Sequence, residues 1–111
     1  MDALRVRFFP EVLARTPGLD APALTAAVQA QVRAQHARPE HDSNEGPPEE
    51  EAVIRSVTRQ GDGSFQVRFG YWRNRFPSSR QDRSEAAEGE LLLDGNGSVR
   101  RAALCPLRDR F

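Results

Sequence analysis

Residues 65–76 read FQVRFGYWRNRF and contain the only Trp, the only Tyr and three of the six Phe residues of the chain. Phe65, Val67, Phe69 and Tyr71 alternate with Gln66, Arg68, Gly70 and Trp72. That period of two is the signature of a strand with one buried face. Past Tyr71 the pattern changes. Arg73 and Arg75 continue the buried set, and a guanidinium cannot stay inside without a partner. The expectation is therefore that the strand leaves the core after Tyr71 and shows arginine beside aromatic surface.

The flanking sequence is also β in character. Residues 52–59, AVIRSVTR, read as a strand, and Gln60-Gly61-Asp62-Gly63 reads as the tight turn of a hairpin leading into the 65–76 strand. After a polar stretch at 77–84, Ala87, Gly89, Leu91 and Leu93 alternate with Glu88 and Glu90. Asp94-Gly95-Asn96-Gly97 then turns into a last strand, SVRRAALC, at 98–105. Cross-strand pairing would bring Glu88 and Glu90 near arginines such as Arg68 or Arg100 and help define the register.

Upstream, Leu4, Val6 and Phe8 alternate with Arg5 and Arg7 as a short strand. Pro10 suits the first turn of a brief helix that Thr16-Pro17-Gly18 stops. One continuous helix over 3–15 would put Pro10 in its interior, at a cost of about 3 kcal/mol. Asp20 is a good N-cap, and Leu24, Val28 and Val32, with Ala27 beside them, form a narrow apolar stripe on a helix over 21–37. Gln29 and Arg33 are expected in solvent, with Gln31 and Gln35 bordering the stripe. Residues 38–51 carry six acids, three prolines and no large apolar side chain, and read as a linker or mobile loop.

The fold class is thus α+β: a short N-terminal strand and turn and one main helix packed on a four-stranded antiparallel sheet, in a single domain spanning 1–111. This topology is similar to cystatin-like and NTF2-like folds by analogy only. The opening LRVRFFPEVLA resembles the first strand and turn of the small β-grasp sulfur carriers, which act through a C-terminal Gly-Gly. The chain ends Arg108-Asp109-Arg110-Phe111, and that relationship is set aside.

The chain has 111 residues, 38% of them apolar and 29% charged, and a formal net charge of zero. One modest core is possible, and the molecule as a whole is not steered towards polyanions. The charge is nonetheless arranged in blocks. Residues 39–51 carry six acids and no base, and residues 52–84 carry seven Arg against two acids. Every basic residue is Arg, which either GC-rich coding or selection for bidentate, stacking cations would produce. A single Cys allows no internal disulfide, the N-terminus does not read as a signal peptide, and no window has the roughly 18–20 apolar residues of a membrane span. The default expectation is a cytoplasmic protein with no membrane partner.

No catalytic constellation is legible. His36 and His41 flank a helix end and fix no metal geometry, so neither a metal nor another cofactor is expected. Cys105, at the end of an apolar strand and before Pro106, is expected to be a small buried thiol. Glu88 and Glu90 share an outer face and lack the burial that raises a carboxyl pKa. The reading therefore favours a non-enzymatic binding or adaptor protein. Its partner-binding residues are Arg68, Trp72, Arg73, Arg75 and Phe76, and its first-choice partner is another protein or a second copy, because Arg and Trp are both favoured at protein interfaces. The same patch has the residue types that hold single-stranded nucleic acid. A third alternative is a small-molecule site between helix and sheet, with Gln31, Gln35, Ser56 and Tyr71 as its polar groups.

Overall fold

The computed structural model describes residues 4–37, 49–74 and 84–109. Its elements follow the chain as β1 (Arg5–Phe8), α1 (Pro10–Arg15), α2 (Ala21–Gln35), β2 (Glu49–Arg59), β3 (Phe65–Asn74), β4 (Glu85–Leu93), β5 (Val99–Leu104) and β6 (Arg108–Asp109). The protein is α+β. Its sheet runs in the order β1-β2-β3-β4-β5, with the two-residue β6 also paired to β4. The β2 to β5 meander is antiparallel, as its turn chemistry requires. The short first strand joins it parallel to β2, which makes the sheet mixed and five-stranded where the sequence suggested four strands.

The two hairpin turns are built alike. Gln60 N–H donates to Ser64 O and Gly63 N–H to Gln60 O, while Asp94 N–H donates to Ser98 O and Gly97 N–H to Asp94 O. Gly63 and Gly97 hold φ of 89° and 88°, a conformation that an L side chain rarely adopts. Asp62 accepts from both the hydroxyl and the amide of Ser64, and these bonds hold its carboxyl below the ordinary value.

Pro10 opens α1, and the Asp20 carboxylate accepts from Ala23 N–H at the start of α2. Leu24, Val28 and Val32 face the sheet and are fully buried with Ile54, Val67, Phe69, Tyr71 and Leu91. The helix touches both β1 and β5, so the sheet wraps it from edge to edge. On the flank of the stripe, Gln29 donates to Leu4 O at 2.9 Å and ties the helix to the start of β1.

Three local readings are corrected. Glu49, Glu50 and Glu51 belong to β2 and not to a linker; the remainder of that stretch, 38–48, lies outside the described residues, as do residues 77–83 of the loop expected at 77–84. Arg55 forms a β-bulge between Ile54 and Ser56. Ser56 is therefore opposite Arg68 on the outer face, where simple alternation would have turned it inward. The third is Cys105. The last strand breaks after Leu104, where Cys105 N–H bonds to Glu88 O, and the thiol is exposed rather than buried.

Candidate functional site

The outer face of the sheet presents side chains in cross-strand rows. One row runs Arg5, Glu51, Trp72, Ala86 and Arg108, and the next contains Arg7, Val53, Gly70 and Glu88. Directly opposed residues share a face, so these side chains meet on one surface. Gly70 and Ala86 are small and leave an open groove of about 640 Å³ beside Trp72. Phe9, which is 40% exposed, Val53 and Pro106 add apolar lining, and Cys105 stands on its rim. Trp72 is half-buried on this face. Among the described residues no acceptor meets its indole N–H, which is left to solvent.

The charges around the groove are largely paired. Arg55 Nη1 lies 3.1 Å from Glu88 Oε1, and Arg7 Nη1 lies 3.3 Å from Glu51 Oε1. One row further along, Arg68 Nε meets Glu90 Oε1 at 3.0 Å, as the alternation had suggested, whereas Arg100 turns to Asp62 at 3.7 Å. Exposed pairs of this kind each add well under ~1 kcal/mol. Their larger effect is to cancel the field of the arginines they hold.

Arg73 is not on this surface. Its residue is 6% exposed and it faces the helix, because it follows Tyr71 on the inner set and finds the partners that the sequence reading denied it. Its Nε donates to Glu85 Oε2 at 2.9 Å and its Nη1 to Ala37 O at 3.1 Å. The strand therefore continues to Asn74 without leaving the core. Arg75 and Phe76 lie outside the described residues. Of the five residues proposed for partner binding, Arg68 and Trp72 share the outer face and Arg73 supports that end of the sheet from the other side.

Beside Arg73 lies a polar cluster that sequence reasoning missed. Glu50 is opposite Arg73 in the β2–β3 register, and Arg73 is opposite Glu85 in β3–β4. From α2, Arg33 grips both oxygens of Glu50, with Nη1 to Oε2 at 3.0 Å. It is thus engaged and not simply solvated. Tyr71 donates its hydroxyl to the same Oε2 at 2.8 Å, and the His36 ring stacks on Tyr71 at 6.3 Å. Among the described residues, no hydrogen bond joins Gln31, Gln35 or Ser56 to Tyr71. Nor do three His, Cys, Asp or Glu side chains converge as a metal site requires among the described residues.

Burial, and next the hydrogen bond to Glu50, push the Tyr71 hydroxyl from 10.0 up to about 12. Because the fold favours the neutral phenol, this contribution to stability is complete below pH 10 and is lost as pH rises through about 12. Tyr71 is the only tyrosine, so phenolate absorbance at alkaline pH reads it alone. The expected titration midpoint lies well above 10 and coincides with alkaline unfolding; a midpoint at the ordinary tyrosine value would mean a solvated hydroxyl.

A mixed sheet wrapped on one principal helix, with a half-buried Trp on its outer face, defines the chain as a small α+β protein. No protein-family model matches it, and neither a curated protein nor a solved structure does. No described helix is long and apolar enough to cross a membrane.

Proposed function

We propose that the protein is a non-enzymatic binding protein that receives a protein partner on the outer face of its sheet, with Trp72 as anchor. The observation that carries this reading is the groove beside Trp72: a half-buried indole with an unmet N–H among the described residues, next to Gly70 and Ala86 and flanked by Phe9, Val53 and Pro106. Interface hot spots have this build, a large aromatic in an apolar setting with a polar rim. Arg68 and Arg55 belong to the rim. Both are held by carboxylates, which weakens the claim of a polyanion on this face and favours a partner of mixed charge. Glu50, Arg33 and Arg73 serve a different purpose, keeping the strand that bears Trp72 pinned to the helix.

Trp72→Ala is the direct test. The side chain is only half-buried, so the variant is expected to keep its helix and sheet signals while losing roughly tenfold or more in affinity for a partner captured by the wild-type protein, the loss typical of a hot-spot residue. The comparison must be repeated with the purified partner. Equal capture by both forms would sink the proposal. So would quenching of Trp72 emission by single-stranded RNA or DNA that fades as salt rises, which is the behaviour of a nucleic-acid surface.

A further inference from the structure

The charge left over in the groove specifies what the partner brings. Of the four charged residues that line the groove among those described, Glu51 is paired with Arg7, which stands outside it, and Arg55 with Glu88, which leaves Arg108. It is exposed, lies directly opposite Ala86, and among the described residues has no carboxylate within ion-pair distance. Its row reads Trp72, Ala86, Arg108, so a guanidinium stands two strands from the indole, about 10 Å away at ordinary strand spacing. The methyl group of Ala86 is all that lies between them on this face. Two unmet donors, the Trp72 N–H and the Arg108 fork, therefore border one apolar patch.

We infer that the groove is specific for an acidic partner segment in which an apolar side chain is followed by Asp or Glu: the apolar group lies on Trp72 and Ala86, and the carboxylate meets Arg108. This inference rests on the protein-binding reading and narrows it. A guanidinium accepts a carboxylate bidentately, which fixes the direction of the segment along the row as well as its charge. A basic segment is disfavoured, because it would place a second cation beside Arg108 with no free acid in the groove to receive it.

The experiment uses the full chain and three peptides, Ac-Gly-Gly-Leu-X-Gly-Gly-NH2 with X as Asp, Ser or Lys. Trp72 is the only tryptophan, so its indole N–H gives one resolved NMR signal to follow. The Asp peptide is expected to move that signal and to bind about three- to fivefold more tightly than the Ser peptide, the size of one partly screened ion pair, with the Lys peptide weakest. The preference should shrink at high salt. Arg108→Gln should erase it while leaving the rest of the spectrum unchanged, and Arg108→Lys should retain part of it. Equal binding of the three peptides, no shift with any of them, or a preference that survives Arg108→Gln each overturns the inference. Those results leave the protein-binding reading standing, since that reading fails on other results: capture by Trp72→Ala equal to the wild type, or salt-sensitive quenching of Trp72 by single-stranded nucleic acid.

Discussion

Replacing Glu50 with alanine is expected to cost about 3–5 kcal/mol of folding stability, the range for breaking a buried ion pair by removing one partner. The Glu50 side chain is only 5% exposed, yet it satisfies three donors at once: both Nη groups of Arg33 and the Tyr71 hydroxyl. Its removal takes away the carboxylate that receives both Arg33 and the buried Tyr71 phenol, while Arg73 remains one strand away with Glu85 as its counter-ion. A shift of roughly 4–8 °C per kcal/mol puts the thermal midpoint well below that of the wild type. Glu50→Gln separates the two parts of the effect. It keeps an oxygen for Tyr71 and removes the charge that holds Arg33, so its loss should be smaller than that of the alanine variant. Equilibrium urea unfolding of both variants decides the matter. A loss below about 1 kcal/mol for Glu50→Ala would place this contact among ordinary surface pairs.

The cluster around Glu50 also shows where the sequence stops being legible. The strands and the helix follow from period two and period 3.6, and Leu24, Val28 and Val32 are buried where the stripe puts them. Glu50 was hidden because it stands in an acidic, proline-rich run, where composition argues for a solvated tether and no alternation betrays a strand. The parallel pairing of β1 with β2 was hidden for a related reason: no turn joins those strands, so no local chemistry announces their contact. Arg73 is different. The premise that a buried guanidinium needs a partner was sound, and the partner could have been found. The register that sets Arg68 opposite Glu90 also sets Arg73 opposite Glu85 when both strands are followed to their far ends. Cys105 was misplaced because its apolar neighbours suggested an unbroken strand, whereas the chain kinks at Cys105-Pro106 before pairing again as β6. On the outer face, Trp72 was readable as a candidate from residue type. The groove was not, since it depends on Gly70, Ala86 and Pro106 arriving from three separate strands or loops.

Gly89→Ala should be the most damaging single-methyl change in the sheet. Gly89 lies directly opposite Phe69 on the inner face, and the Phe69 ring lies over it. A Cβ built on Gly89 falls well inside van der Waals contact of Phe69 Cζ, with Cε1 and Cε2 only 2.7 and 2.8 Å away. Phe69 is 2% exposed and enclosed by core side chains, so the ring cannot swing clear without opening the contact between β3 and α2. Gly89 does not need its φ freedom, so the penalty is steric and comes from overpacking, about 1–3 kcal/mol and at the upper end where the ring is trapped. The gain from restricting the unfolded chain, about 0.4–1 kcal/mol, opposes this and is too small to cancel it. Gly70→Ala is the control. Its Cβ would also meet a side chain, Arg55 Nη2 at 2.8 Å, but that is the exposed tip of a flexible guanidinium and can move aside. That variant should unfold close to the wild type while narrowing the groove beside Trp72. A second control removes the obstacle: in a Phe69→Leu background, Gly89→Ala should cost measurably less, giving a coupling of order 1 kcal/mol in a double-mutant cycle. If Gly89→Ala and Gly70→Ala prove equally mild, or the cycle shows no coupling, Phe69 is not the reason that glycine occupies position 89.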